Sequence, residues 1–242
     1  MKHTFIPLII SLMSYGKLQS QLVPAKDAFD KKWISNRTEQ MNMFAVTDKG
    51  RIEIGNIITR TSVKNDRVLI VTEVNMNGAT TAWTDSTIAE LKTGKPIHHS
   101  SFNMQRNMVL DFGRIVTGYY YDKKKNINTS IRDTVQSAYF DSNFYPALIG
   151  WLPLKEGYKQ DILIYDFNPS LGNGVKKASV KSVGSDVYIT STSGKKDVWK
   201  VEVGDEINAD GSTTYYFDKK DRKLWKLEIQ FKGGKSEMIA KE

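Results

Sequence analysis

The sequence predicts an all-β protein with little helix, built as an antiparallel meander that curves strongly into an open or partly closed barrel with a short helical plug. Apolar and polar residues alternate with a period of two in many short segments, which is typical of strands with one buried face. Short polar turns separate these segments. One stretch, residues 141–158, is apolar without alternation and marks the plug. The 242-residue chain is long enough to bury a core without covalent cross-links.

The first twenty residues predict export. Lys2 and His3 form a basic start, residues 5–13 are apolar, and residues 14–20 are small and polar. This order is typical of a secretory signal peptide, and the apolar run is short for a membrane span. We expect a signal peptide over 1–20, cleavage near Ser20, and one barrel-like domain over 21–242. An uncleaved anchor is the alternative. The expected location is the periplasm or another exported compartment.

The composition excludes several classes of site. The chain contains no cysteine, which excludes disulfides, thiolate metal sites, a cysteine nucleophile and a lipidated N-terminal cysteine. The formal net charge is +8, but lysines and acids lie side by side in the charged turns. This pattern predicts a solvated surface, with an anionic lipid or glycan as the alternative partner. We expect no nucleic-acid partner, no metal and no cofactor.

The strands follow one another with short connections. Asp27 is expected to cap a helical turn that holds Phe29 and Trp33. Asn77-Gly78 is a typical two-residue hairpin turn, and a polar turn is expected over 64–66. The predicted strands of this half cover 52–54, 68–74, 80–90, 97–104, 115–121 and 127–132.

The second half repeats the pattern after the plug. We expect a short helix capped by Asp141 or Ser142 that ends at Leu148, a strand over 162–167 and a loop over 168–174. A hairpin is predicted over 213–217 and 224–231, followed by a strand over 238–240. In the strand over 224–231 the alternation predicts one shared face for four residues, Trp225, Leu227, Ile229 and Phe231.

Aromatic residues around the plug are the candidate ligand-binding groups. One interpretation is a barrel core closed by the helical plug. The other is a partly open cavity that accepts an acyl chain or another amphiphile. The cavity candidates are Trp83, Phe140, Phe144, Tyr145, Trp151 and Tyr158.

No motif assigns a catalytic residue. His98 and His99 are adjacent, so in a strand they point to opposite faces and cannot readily share a metal ion. The sequence lacks the G-x-S-x-G pattern of α/β-hydrolases. A hydrolase would require at least two groups of one set to meet in a cleft. That set is Asp85, Ser86, His98, His99 and Asp111.

Several segments together resemble a family of exported Gram-negative proteins of unknown function. They are Asp85-Ser86-Thr87, Lys92-Thr93-Gly94-Lys95-Pro96-Ile97, Phe112-Gly113, Val116-Thr117-Gly118, WLPLKEG at 151–157, and the run from Tyr215 to Glu228. The resemblance covers about residues 50–242. It implies a YmcC-like open β-barrel, distantly similar to LolA-like and LolB-like lipoprotein-binding proteins, with a hydrophobic concavity and no known catalytic residues.

These observations predict a non-enzymatic periplasmic protein that binds an amphiphile or envelope component, such as a lipid, lipoprotein or glycolipid, in the curved sheet. One alternative is a structural or assembly factor of the envelope that acts through protein contacts. The other is a hydrolase of glycan or lipid. After cleavage we expect no transmembrane segment.

Overall fold

The computed structural model describes residues 21–169 and 172–242, and the predicted signal peptide lies outside them. A short 3-10 helix, Lys31–Trp33, precedes the first strand. The first eight strands are β1 (Arg37–Thr47), β2 (Gly50–Lys64), β3 (Arg67–Met76), β4 (Trp83–Glu90), β5 (Pro96–Phe102), β6 (Arg106–Asp111), β7 (Ile115–Asp122) and β8 (Ile127–Thr134).

A short strand, a helix and six longer strands complete the described chain. They are β9 (Phe140–Asp141), α1 (Tyr145–Trp151), β10 (Gln160–Asp166), β11 (Gly174–Ile189), β12 (Lys195–Asp205), β13 (Ser212–Asp218), β14 (Leu224–Phe231) and β15 (Gly234–Ala240). None of the helices in the described ranges has the length and apolar character needed to cross a bilayer.

All fifteen strands belong to one sheet, whose middle is the pairing of β1 with β15. From there the order runs through β2 to β8 on one side and through β14 to β9 on the other. Neighbours pair antiparallel except β9 and β10, which are parallel. The sheet is not closed, and β8 and β9 are its end strands. The predicted all-β fold with one short helix is therefore confirmed.

The turns follow the backbone preferences of their residues. Asn65 and Asp66 have φ of 51° and 56° between paired Lys64 and Arg67, which makes a tight two-residue hairpin turn. The turn expected at Asn77-Gly78 is longer than predicted, because β4 begins at Trp83 and not at residue 80. The side-chain amide of Asn77 donates to the carbonyl of Glu53 on β2, so Asn77 is bound to a neighbouring strand.

The helix lies two to three residues later than predicted, with Phe144 at its N-cap and Trp151 at its end. Asp141 belongs to β9, and its carboxylate accepts a hydrogen bond from His99. The helix begins at Tyr145 with Pro146 in its first turn, where a missing N–H costs nothing. Leu148, Ile149 and the other inward residues of α1 are fully buried in the larger of two hydrophobic cores. The helix thus fills the concave side of the sheet.

Strand β10 is buried on both faces, which shows that the two ends of the sheet overlap face to face. Ile162 and Ile164 pack into the larger core, while Tyr165, the residue after Ile164, packs into the smaller one. The smaller core also contains Leu110 of β6 and Ile131 of β8. Side chains alternate across a strand, so the β6–β8 end covers the outer face of β10. The sheet is rolled up, but its end strands, β8 and β9, do not pair with each other.

One predicted face is wrong in the strand over 224–231. A β-bulge shifts the register between Tyr216 and Phe217, so that Phe217 pairs with Leu224. Leu224 and Leu227 pack on the larger core, whereas Trp225 stacks on Tyr188 at 6.3 Å and belongs to neither core. A bulge adds one residue to a strand and re-aims its side chains, which strict alternation cannot anticipate.

Candidate functional site

A pocket of about 290 Å³ opens at the end of the sheet that carries the β3–β4 loop and the β5–β6 turn. We call it the mouth pocket. Its walls combine apolar side chains with one guanidinium group. The residues that matter for its chemistry are Val74, Met76, Trp83, Met104, Arg106 and Tyr120.

The apolar groups of the mouth pocket are unusually exposed. Met104 is 60% exposed, Met76 43% and Trp83 40%. Single exposed apolar residues are common on proteins, but several on the rim of one concavity form a candidate binding surface. Burial of apolar surface contributes a favourable free energy of about 25 cal/mol per Å², which these exposed side chains do not supply. A ligand with an apolar part would supply it by covering them.

Arg106 supplies the charge at the mouth pocket. Its Nε and Nη2 donate to Ser101 Oγ at 3.3 and 3.1 Å. The guanidinium carbon lies 5.7 Å from the centre of the Trp83 ring, which allows a cation–π contact. Within the described residues no carboxylate forms an ion pair with Arg106. The group is held in place yet keeps its positive charge uncompensated by a direct partner.

The β5–β6 turn positions Arg106. The side-chain oxygen of Asn103 accepts from the backbone N–H groups of Gln105 and Arg106 at 2.8 and 2.9 Å. Lys123 Nζ donates to the carbonyl of Asn103 at 2.7 Å and ties the turn to the chain after β7. An asparagine that caps its own turn is a common local device. The turn therefore presents Met104 outward and fixes the strand that follows it.

A row of polar side chains continues from the mouth pocket along the inner face of β4 and β5. Trp83 Nε1 donates to Asp85 Oδ1 at 2.8 Å and to Ser101 Oγ at 3.2 Å. One pair further along, Thr87 lies opposite His99, and both are buried. Thr87 Oγ1 and His99 Nε2 have no hydrogen-bond partner among the described residues.

His99 links the two arms of the sheet. Its Nδ1 lies 2.9 Å from Asp141 Oδ1, and the two side chains are 7% and 1% exposed. Burial lowers the pKa of His99, but the charge and hydrogen bond of Asp141, aided by Asp85, outweigh it, so the pKa lies above its ordinary value. Burial also raises the pKa of nearby Asp166, which accepts from Ser142 Oγ at 3.0 Å. The His99–Asp141 pair joins β5 to β9 by a charge-assisted contact.

The candidate aromatic residues divide between core and pocket. Phe140, Phe144, Tyr145 and Trp151 are at most 6% exposed and pack in the larger core. Tyr158 is partly buried against that core, and burial raises its pKa to about 12. Trp83 lines the mouth pocket.

The candidate hydrolytic groups are distributed over two faces of the sheet. His98 and Asp111 meet on the outer face at 2.8 Å, and Ser86 Oγ lies 2.7 Å from Ser100 Oγ on that same face. Asp85 and His99 lie on the inner face. The prediction that the two histidines point to opposite faces is confirmed. Among the residues described, no group of three metal-ligating side chains is close enough to hold an ion.

Sequence reasoning missed most of the mouth pocket. Met76 lies at the end of β3, whereas Met104 and Arg106 lie in the β5–β6 hairpin, and no sequence motif connects the two. What these residues share is position, since each lies where a hairpin turns at the same end of the strands. That signal becomes usable only when the strand order is known.

The fold and the pocket together define a class of protein: a rolled antiparallel sheet, filled by a short helix, with an apolar pocket and an arginine at one end. Residues 41–239 match the family DUF3108, described as a protein of unknown function. The match covers most of the chain, which therefore belongs to this family. No curated protein matches the sequence.

Proposed function

We propose that this is an exported, non-enzymatic protein that binds an amphiphile with an anionic head at the mouth pocket. The observation that carries the proposal is the position of Arg106, without an ion-pair partner in the described chain, beside the exposed apolar groups of Met76, Trp83 and Met104. An anionic head would pair with the guanidinium, and an apolar tail would cover the exposed rim.

The ligand class follows from these two requirements. A lipid, the acyl part of a lipoprotein or a glycolipid each combines an anionic or polar head with an apolar chain. The pocket volume of about 290 Å³ suits part of such a molecule and not all of it. The distant similarity to LolA-like and LolB-like proteins is part of this proposal, as is a periplasmic location. The proposal includes no enzymatic role, because no motif in the sequence assigns a catalytic residue.

The test is a binding assay with a fluorescent lysophosphatidylglycerol on the chain without residues 1–20. We expect saturable binding that weakens at least about tenfold in Arg106→Gln and in Trp83→Ser. Phe102→Ser is the matched control, because Phe102 is 39% exposed at the same end of β5 but does not line the pocket. Equal binding by all four proteins would exclude the mouth pocket as the site.

A second candidate is an assembly factor of the envelope, favoured by the tip of the β11–β12 hairpin. Val187 and Ile189 are 51% and 71% exposed there, which suits a protein contact. The test is cross-linking from Ile189 in the native envelope. A single partner protein that disappears in Ile189→Ser supports this role, and no specific cross-link argues against it.

A further inference from the structure

A second cavity, of about 420 Å³, lies at the end of the sheet opposite the mouth pocket. It is lined by the β4–β5 turn, the β6–β7 turn and the segment that leads from β8 to β9. We call it the seam cavity, because these elements flank the line where the two arms of the sheet overlap. Its key residues are Glu90, Lys95, Arg114, Gln136, Ser137 and Tyr139.

The walls of the seam cavity are held by hydrogen bonds. Buried Tyr139 donates its hydroxyl to the carbonyl of Gly113 at 2.9 Å. The N–H of Val135 donates to the carbonyl of Arg114 at 3.0 Å. These two bonds fasten the 134–139 segment to the β6–β7 turn. The cavity is therefore preformed, which lowers the entropy cost of binding.

The β4–β5 turn forms the opposite wall and is equally ordered. Thr93 Oγ1 donates to Glu90 Oε2 at 2.7 Å and accepts from the N–H of Lys95 at 3.1 Å. The N–H of Glu90 donates to the carbonyl of Lys95 at 2.9 Å. The carboxylate of Glu90 thus has a partner within its own turn, while the side chain of Lys95 is left to the cavity.

Positive charge dominates the seam cavity. Lys95 and Arg114 come from different turns, and within the described ranges neither side chain forms an ion pair or a hydrogen bond. Both cations line one concavity that contains a single carboxylate, Glu90. Two like charges at one cavity repel each other, and an anion between them removes that cost.

We propose that the seam cavity binds an organic phosphate. Arg114 offers a planar fork of donors and Lys95 a compact charge, and Gln136 and Ser137 add an amide and a hydroxyl. This number of donors suits the several oxygens of a phosphate better than the two of a carboxylate. Pro96, Val135 and Ala138 supply an apolar wall for the group that carries the phosphate.

The seam cavity is a site distinct from the mouth pocket. The two share no lining residue, and they lie at opposite ends of a sheet whose interior is filled by α1. A negative binding result at one site therefore does not decide whether the other site binds a ligand. The ligand source is either a free organic phosphate or the head group of a phospholipid.

The test is a titration of the ¹⁵N-labelled protein with glycerol 3-phosphate, followed by two-dimensional NMR. We expect saturable shifts at Gly113 and Ser137, and at least about tenfold weaker binding in the Lys95→Gln, Arg114→Gln double variant. Lys92→Gln is the control, because Lys92 lies in the same turn but pairs with Asp66 at 3.9 Å and does not line the cavity. Both substituted residues are exposed, so the fold should be unchanged.

A second titration separates the two sources. Vesicles of phosphatidylglycerol that produce the same shifts, where glycerol 3-phosphate does not, would identify a lipid head group. Shifts with glycerol 3-phosphate alone would identify a free phosphate. Affinity that is equal in the double variant and in Lys92→Gln, or shifts confined to other residues, would overturn the proposal.

Discussion

Aromatic residues gather in two regions of this protein, around α1 and at the mouth pocket, and the two regions treat them differently. Phe144 and Trp151 are fully buried, and their rings lie 5.4 Å apart in an edge-to-face contact. Trp83 keeps 40% of its surface exposed beside Arg106. The difference lies in position, since α1 fills the concave side whereas Trp83 lies at the end of a strand on the rim. An aromatic residue therefore becomes a candidate ligand contact only where the sheet leaves it uncovered.

The largest expected effect on stability concerns the buried aromatic residues around α1. Phe144→Ala removes a ring that contacts Phe29, Phe140 and Trp151. We expect a loss of about 3–5 kcal/mol in the free energy of unfolding, because the transfer free energy is lost and a cavity remains. Urea denaturation followed by circular dichroism measures it. A loss below about 1 kcal/mol would show that this region is not closely packed.

An intermediate effect is expected where the arms of the sheet meet. His99→Gln replaces the charged partner of Asp141, and we expect a loss of about 2 kcal/mol near pH 6. The folded-state pKa of His99 lies above the ordinary value of 6.5, so protonation favours the folded state. Its contribution is fully present below pH 6.5 and is lost as pH rises through the folded-state pKa.

Urea midpoints measured at several pH values test this linkage. The stability difference between the native chain and His99→Gln should shrink as pH rises. Asp85, Arg106, Asp141 and Asp166 are the charged groups that act on or near His99, and they are present in both proteins. His98→Gln is the matched control, because His98 is one-third exposed and pairs with exposed Asp111. A pH-independent difference would contradict a protonated His99.

A small effect on stability is expected at the mouth pocket. Trp83→Ala removes a half-exposed ring and its bonds to Asp85 and Ser101, with an expected loss of about 1 kcal/mol. Thermal unfolding measures this change, and the lipid-binding assay should change far more than the melting temperature. A loss as large as that of Phe144→Ala would place Trp83 in the core and remove the contrast between the two regions.

The smallest effect is expected at the tip of the β11–β12 hairpin. Ile189 is 71% exposed, so Ile189→Ser should change the free energy of unfolding by less than about 0.5 kcal/mol. Differential scanning calorimetry of the two proteins measures it. A clear destabilisation would indicate that the side chain is covered in solution, for example by a second copy of the chain.

Much of the fold was predictable because strand alternation and turn residues act locally. The polar turn at 64–66 and the strands on both sides of it follow from neighbouring residues alone. The helix boundary was missed, since Asp141 belongs to β9, where its carboxylate accepts from His99 of a distant strand and from the N–H of Asn143 in the turn before the helix. The face of Trp225 was missed because a bulge depends on the partner strand.

The candidate site was less predictable. Trp83 was among the predicted residues, but the sequence placed it with Phe144 and Trp151 near the plug. In the structure it lies instead beside Arg106, in a pocket with Met76 and residues of the next hairpin. Proximity between hairpin ends depends on strand order and on the curvature of the sheet, and neither is written in a local pattern.

The sequence by itself determined the all-β class, the short apolar helix, the opposite faces of His98 and His99, and the absence of any cysteine chemistry. These properties follow from composition and from the two-residue period of a strand. Only the tertiary structure decided that β10 is buried on both faces and that α1 fills the sheet. It also decided which side chains remain uncovered at the two ends, because the long-range pairing of β1 with β15 and the overlap of the two arms determine what is buried.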